Sequence, residues 1–301
     1  GYLSGEHAPG RQEPQASLDA AHHLLLGHGL ATQRLRELDS SLSLGITLNM
    51  TVPDPVDPKD SADVDAARRI DAQHNRLFLD PIFRGAYPAD LIVDLEARGL
   101  SIPVLDGDLA TIAAPIDALG INYYHGDAVS ARPPADHSLS SAAPSERPKL
   151  SPFPAGDGIY THPRGLPTTA MGWEVQPEGL TRLLVRIDDE YAKPAGVTLY
   201  VTENGAAYTD VVAVDGSVDD AERAEFLRLH LAAVADAIDT GVTVKGYFYW
   251  SLMDNFEWAW GYDKRFGLVR VDYDTQQRTV KTSGATYRAI IAARDLSATP
   301  H

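Results

Sequence analysis

A carboxylate that could act as a nucleophile stands at the end of a predicted buried strand, in the segment VTLYVTENGAAY. Glu203 follows an apolar, β-branched run, and Asn204 and Gly205 are expected to turn the chain. Burying a carboxylate is costly unless it has a partner or a task. One such task is attack on the anomeric carbon of a sugar to form a covalent intermediate. The alternative is a turn glutamate in a solvated loop.

A second candidate segment surrounds one carboxylate with aromatic rings, in GYFYWSLMDNFEWAWGYDKRFGL. Trp250, Phe256, Trp258 and Trp260 all lie close in sequence to Glu257. Sugars expose apolar C–H faces and polar rims, so stacking rings beside a hydrogen-bond acceptor suit both features. The segment therefore predicts a carbohydrate site. The alternative is an aromatic core cluster with Glu257 on the surface.

Two shorter segments add polar and aromatic candidates. In GINYY, Asn122 and Tyr124 share side-chain parity if the segment is a strand. The Tyr124 hydroxyl could donate to the nucleophile and hold it ionised. Trp173 in MGWEV is a loop tryptophan that could wall a sugar site. Ordinary packing is the alternative for both aromatic residues.

Composition excludes several classes of function. The 301 residues include 26 Lys and Arg against 42 Asp and Glu, a net charge of −16 that disfavours nucleic acid, anionic membranes and strongly acidic substrates. The chain contains no run of about 18 apolar residues, so no transmembrane helix is predicted. Cysteine is absent, which excludes disulfides and thiolate metal sites and fits a cytoplasmic location.

The histidines do not predict a metal site, and no cofactor motif is present. His22, His23 and His28 lie in one predicted helix without the histidine spacing and carboxylate of zinc sites.

The opening residues, GYLSGEHAPG, lack an initiator methionine and are typical of the interior of a longer protein.

Helices and strands are predicted to alternate along the chain. A first helix begins with Ser17 as its N-cap, and four strand-helix units follow. Pro81 is expected to break the helix that includes it. Residues 132–162, rich in Pro, Ser and Ala, are expected to form a functional rim loop. The predicted strands lie in SLGITLNM, IDALGINYYHG, VTLYVTENG and VKGYFYWSLMD.

This alternation predicts parallel strands, because each crossover carries a helix. An open doubly wound sheet and a closed barrel both fit it. No Gly-rich phosphate loop follows a strand, which argues against a nucleotide fold. The candidates Asn49, Asn122, Glu203 and Trp250 stand near strand ends. Barrel enzymes place their chemistry at that position.

Taken together, six segments resemble glycoside hydrolase family one, the β-glucosidase family, in family order across nearly the whole chain. The resemblance implies one domain over residues 1–301 with an α/β fold, a (β/α)₈ TIM barrel. This chain would supply roughly strands five to eight and their helices. The segments are GEHAPGR, GITLNM, GINYY, MGWEVQPEGL, YVTENGAA and WSLMDNFEWAWGYDKRFGLVRVDY.

The resemblance also implies an activity and roles for the candidates. The activity is that of a retaining β-glycosidase, which hydrolyses terminal β-D-glucosides or β-linked oligosaccharides through a covalent glycosyl-enzyme and needs no cofactor. Glu203 would be the nucleophile, Tyr124 would hydrogen-bond it, and Asn122 would lie close by.

The sugar-binding residues follow from the same resemblance. Glu257 and Trp258 would bind outer hydroxyls, and Trp250 would stack under the ring. Because Glu257 would repel a phosphate, an unphosphorylated sugar is favoured. The residues expected to line the pocket or its edge are Trp173, Phe266 and Asn49.

One family feature is missing from the chain. Family members carry their acid/base glutamate in an Asn-Glu-Pro word, which does not occur here. Retention requires two carboxyl groups about 5–5.5 Å apart. The acid/base is therefore expected on a missing or separate N-terminal segment. The chain would pair with that segment, associate with its own copy, or be an inactive half barrel; a non-catalytic sugar-binding protein and a transglycosylase are the rival functions.

Overall fold

The computed structural model describes residues 1–134 and 151–299. In these ranges the α-helices are α1 Pro14–Leu38, α2 Ser61–Asp71, α3 Leu77–Arg84, α4 Ala89–Glu96, α5 Asp108–Ile112, α6 Pro177–Ile187, α7 Lys193–Ala195, α8 Ala221–Asp239 and α9 Thr282–Ala293. Two π-helices, Ala72–Arg76 and Asp188–Ala192, and a 3-10 helix, Trp258–Trp260, are also present. The strands are β1 Gly45–Met50, β2 Pro53–Pro55, β3 Ala118–Tyr123, β4 Asp127–Ser130, β5 Tyr160–His162, β6 Thr198–Asn204, β7 Val244–Tyr249, β8 Val269–Val271 and β9 Arg278–Val280.

The main sheet of the described ranges has four strands in the order β1-β3-β6-β7. At the strand starts, the Asp117 amide donates to Leu44 and the Thr198 amide donates to Asp117; at the ends, the Trp250 amide donates to Asn204. Starts meet starts and ends meet ends, so the strands are parallel. Helices join successive strands, as predicted, and this is the arrangement of part of a (β/α)₈ barrel.

The chain divides into two compact units. The first comprises Gly1–Ile121, Gly126–Arg164 and Ile187–Leu199, and the second comprises Asn122–His125, Gly165–Arg186 and Tyr200–His301. The expectation of one domain over residues 1–301 stays a prediction.

The first unit packs its helices by close backbone approach and a small apolar cluster. A Cβ added at Gly29 of α1 would lie only 2.1 Å from the Thr111 oxygen of α5, so this helix contact requires a glycine. A buried cluster joins α2 to β4 through Ala66, Ala67, Ile70 and Val129. In the described ranges, no helix is long and apolar enough to cross a membrane.

The second unit has a core that includes residues from the strand ends and from α8. It contains Ala206, which follows β6, and Tyr249, the last residue of β7. Both belong to one buried cluster with Leu268 and with Phe226 and Leu227 of α8. The segments that carry the candidate functional residues therefore pack on a buried apolar core.

Two local predictions are wrong. Helix α1 begins at Pro14, and Ser17 lies inside its first turn, where its hydroxyl donates to the Pro14 oxygen. Proline suits the start of a helix because its fixed φ is helical and its missing N–H has no partner there. Pro81 does not break α3, which continues to Arg84; its buried neighbours, including Leu79, stabilise the helix against the one lost hydrogen bond.

Short strands outside the main sheet were not predicted. β2, β4 and β5 form a second sheet, and β8 pairs with β9 in an antiparallel hairpin. β5 lies inside the predicted rim loop of residues 132–162 and pairs antiparallel with β4. Residues 135–150 of that loop lie outside the described residues.

Candidate active site

Glu203 is the penultimate residue of β6, with a partly buried side chain. The Tyr124 hydroxyl donates a hydrogen bond of 2.5 Å to its Oε2 atom. Burial, and then the adjacent Glu203 carboxylate, raise the pKa of Tyr124 well above its ordinary value. The phenol therefore keeps its proton at neutral pH and remains a donor that orients one carboxylate oxygen.

The neighbours of Glu203 attach its strand to β3. The Thr202 hydroxyl donates to the Asn122 side-chain oxygen at 2.7 Å, and the Asn204 amide group donates to the Tyr123 carbonyl oxygen at 2.7 Å. Asn204 is fully buried and is the last residue of β6, so it does not turn the chain as predicted. Both bonds restrict the backbone that carries the carboxylate.

The residue after this strand end must be a glycine. A Cβ added at Gly205 would lie 1.8 Å from the Trp250 carbonyl oxygen, well inside van der Waals contact. The Trp250 amide donates to the Asn204 oxygen at 3.0 Å. The ends of β6 and β7 therefore meet at Gly205, which brings the segment after β7 beside the segment that carries Glu203.

Glu257 lies in the loop after β7 and is largely buried. Its carboxylate accepts a hydrogen bond from the Trp250 side chain, whose sole donor is the indole N–H. Burial raises the pKa of Glu257, the Trp250 bond opposes that rise, and the charge of Glu203 adds to it. The charge of Glu203 thus acts on Glu257, which places the two carboxylates within electrostatic reach of each other.

Aromatic rings surround the Tyr124 phenol. Ring centroids of Trp173 and Phe266 lie 5.5 Å and 6.2 Å from that of Tyr124, and the two rings lie 6.2 Å from each other. Phe266 is buried, whereas Trp173 is partly exposed and stacks on His125 with centroids 5.1 Å apart. Trp258 is 70% exposed. The arrangement offers flat apolar surfaces close to a carboxylate.

A buried ion cluster holds the loop that carries Glu257. Asp254 accepts from the Gly267 amide at 3.0 Å and from Arg265 at 2.5 Å. Lys281 lies 2.9 Å from Asp254 and 2.6 Å from Asp210, which follows the Glu203 strand. The loop is thus tied to the segment after Glu203. The ion cluster comprises Asp210, Asp220, Asp254, Arg223, Arg265 and Lys281.

Most of the predicted site residues lie in the second unit. Glu203 accepts the Tyr124 bond, and the Tyr124 ring contacts Trp173 and Phe266. Trp250 bonds Glu257, and Asn122 bonds Thr202. Asn49 is exposed on β1 in the first unit, and its place at a pocket edge stays a prediction.

The sequence interpretation assigned no role to several residues of this region. Asn204 lies in a segment that was predicted to turn. His125 directly follows GINYY, and no sequence pattern there indicates that it stacks on another ring. Asp254 offered one signal, because an acidic residue between an apolar strand and an aromatic run is costly to bury without cations. Its partner Lys281 is distant in sequence, which hid the pair.

The chain belongs to glycoside hydrolase family 1, because the family model described as glycosyl hydrolase family 1 matches residues 1–296. A bifunctional β-D-glucosidase/β-D-fucosidase of Bifidobacterium breve is 43% identical over 298 residues, 97% of this chain and 61% of that protein. β-Glucosidase A of Thermotoga maritima is 40% identical over 292 residues, 97% of this chain and 60% of that protein.

A solved structure supports the same assignment. The crystal structure of the psychrophilic β-glucosidase BglU from Micrococcus antarcticus has a TM-score of 0.93 and 54% sequence identity, over 97% of this chain and 62% of that one. The predicted family and the predicted fold, a partial (β/α)₈ barrel, are confirmed. The chain spans less than two thirds of the length of each of these proteins.

Proposed function

We propose that this chain carries the nucleophile of a retaining β-glycosidase that hydrolyses terminal β-D-glucosides by double displacement. The observation that carries the proposal is the bond between Tyr124 and Glu203 at the end of β6. Glu203 would attack the anomeric carbon and form a covalent glycosyl-enzyme, with Tyr124 holding one of its oxygens. An acid/base carboxyl would protonate the leaving oxygen and then activate water.

The acid/base belongs to a further segment in this proposal, because the chain contains no Asn-Glu-Pro word and spans 60% of β-glucosidase A. That segment is part of the same longer protein or is a separate chain. Glu257 is not proposed for the role, because the Trp250 bond presents it as a hydrogen-bond acceptor, which suits sugar hydroxyls.

Substrate binding is proposed for the aromatic and acidic residues of the same region. Trp250 would stack under the sugar ring, and Glu257 and Trp258 would contact its outer hydroxyls. Two carboxylates in one environment would repel a phosphate dianion, which favours an unphosphorylated β-glucoside or β-linked oligosaccharide. The remaining residues proposed to line the pocket are Asn122, Trp173, Phe266 and Asn49.

A complementing N-terminal segment is the proposed partner, with self-association as the alternative. β7 ends the strand order of the main sheet within the described ranges. On β7 and just after it, Phe248, Leu252 and Phe256 are exposed. A strand at the end of a sheet with adjacent exposed apolar side chains is a favourable site for further protein contact. No role with nucleic acid or a membrane is proposed, and cytoplasmic location stays a prediction.

Covalent labelling of the chain tests the nucleophile without requiring the acid/base. The reagent is 2,4-dinitrophenyl 2-deoxy-2-fluoro-β-D-glucoside, whose dinitrophenolate departs as a stable anion without protonation. We expect one fluoroglucosyl group per chain on Glu203, no labelling of Glu203→Gln, and normal labelling of Glu225→Gln, a matched change at an exposed position of α8. Labelling at another residue would refute the assignment.

Two outcomes separate the rival functions. Saturable binding of glucose or cellobiose without labelling would favour a non-catalytic sugar-binding protein, which the missing Asn-Glu-Pro word also supports. Full turnover of an aryl β-glucoside whose leaving group needs protonation, by residues 1–301 alone, would contradict a separate acid/base.

A further inference from the structure

Tyr247 of β7 is hydrogen-bonded to the buried side-chain amide of Asn204, the residue that follows Glu203 at the end of β6. Its hydroxyl donates to the Asn204 side-chain oxygen at 2.6 Å, and the Asn204 amide nitrogen donates to the Tyr123 carbonyl oxygen at 2.7 Å. Asn204 is fully buried. One side chain therefore joins three consecutive strands of the sheet, β3, β6 and β7, directly beside the candidate nucleophile.

Bulk solvent does not reach this link, because Asn204 is fully buried. Leaving a buried amide oxygen without a donor costs its full desolvation penalty, so the Tyr247 hydroxyl contributes more here than at an exposed position. Burial also raises the pKa of Tyr247 well above its ordinary value. The phenol therefore remains protonated and continues to donate across the pH range in which glycosides are hydrolysed.

We infer that Tyr247 is a positioning residue for nucleophilic attack, acting on the Glu203 backbone through Asn204. The inference rests on the proposed role of Glu203. Attack requires the reacting atoms to lie about 3–3.5 Å apart and aligned. Tyr124 holds the tip of the Glu203 side chain, and Asn204 holds the main chain at its base. The carboxylate is thus restrained at both ends.

Removing only the hydroxyl isolates this link. The Tyr247 carbonyl oxygen accepts from the Tyr287 hydroxyl at 3.1 Å, and the two rings lie 6.3 Å apart, edge to face. Those contacts persist in Tyr247→Phe, because neither involves the Tyr247 hydroxyl. Tyr191→Phe is the matched control. It removes another buried tyrosine hydroxyl bond, 2.7 Å long and made to Asp80, and neither of these residues is a candidate site residue.

The test measures labelling kinetics and hydrogen exchange on wild type and both variants. With the dinitrophenyl fluoroglucoside, we expect the maximal labelling rate constant of Tyr247→Phe to fall about tenfold, because small misplacements of a nucleophile are costly. The reagent concentration at half-maximal rate should stay within about twofold, since ground-state binding is retained. Amide exchange of peptides spanning residues 203–205 should accelerate about five- to tenfold after loss of the bond.

Each outcome decides the inference. The expected changes in Tyr247→Phe, with the Tyr191→Phe control unchanged in both readouts, support it. Faster exchange with an unchanged labelling rate overturns the positioning role, because the link is then only structural. Equal losses in both variants overturn it as well, since general destabilisation explains them. If the wild type is not labelled, the proposed function fails, and the exchange result alone decides whether Tyr247 restrains the strand end.

Discussion

A buried histidine should make the stability of the chain depend on pH in a calculable way. His230 of α8 is fully buried, stacks on Phe226 with ring centroids 3.9 Å apart, and places Nδ1 2.8 Å from the Phe226 carbonyl oxygen. Its Nε2 atom is buried without a hydrogen-bond partner among the described residues. Burial lowers the pKa of His230 from 6.5 to about 4, because a charged imidazolium would be desolvated there.

The sign and size of this pH dependence follow from the difference in proton binding between the folded and unfolded chains. The unfolded chain binds a proton at His230 below pH 6.5, whereas the folded chain resists protonation until about pH 4. Stability is therefore fully present above pH 6.5 and is lost as the pH falls toward the folded value. Between pH 7 and pH 5, this one group should lower the free energy of unfolding by about 2 kcal/mol.

Urea unfolding at pH 7 and pH 5 measures this effect. In His230→Leu, which cannot be protonated, the difference in unfolding free energy between the two pH values should shrink by about 2 kcal/mol. His23→Gln is the control, because His23 is exposed on α1 and should leave the difference unchanged. An undiminished pH dependence in His230→Leu would refute the reasoning, since it would mean that His230 titrates alike in both states.

Two further substitutions test the supports of the site. Gly205→Ala should destabilise the chain by about 1–3 kcal/mol and slow fluoroglucoside labelling, because its Cβ would overlap the Trp250 oxygen. The control is Gly27→Ala in α1, where a Cβ meets open space. Urea unfolding should show that this change stabilises the chain by about 0.4–1 kcal/mol. Lys281→Met should cost about 3–5 kcal/mol by leaving two buried aspartates short of a cation; the exposed change Lys59→Met should be neutral, and equal effects would contradict the argument.

The regular elements were predictable because their signals are local. Apolar periodicity located the four main strands and the longer helices, and the order of elements implied parallel pairing. The wrong predictions arose where two local preferences opposed each other. Pro14 competes with Ser17 for the start of α1, and α3 accepts Pro81 because burial of its apolar face outweighs one lost hydrogen bond. Three-residue strands such as β8 carry too few residues to show a period.

The candidate site was predictable where a residue type implies its own chemistry. A carboxylate ending an apolar strand, and rings around a second carboxylate, point to a sugar without any knowledge of contacts. The supporting bonds could not be found this way. Tyr247 and Asn204 are 43 residues apart in sequence, and their link depends on which strands become neighbours. Distant polar partners of this kind follow from topology, which periodicity alone does not define.

The ion cluster that holds the Glu257 loop has a consequence for how the molecule behaves in solution. Its three acidic and three basic residues cancel, so the net charge of −16 resides entirely outside it. Charges on the remaining surface repel one another and are screened over about 8 Å at physiological ionic strength. Buried pairs are screened far less. Added salt should therefore weaken repulsion across the acidic exterior while the buried pairs of the ion cluster keep most of their strength.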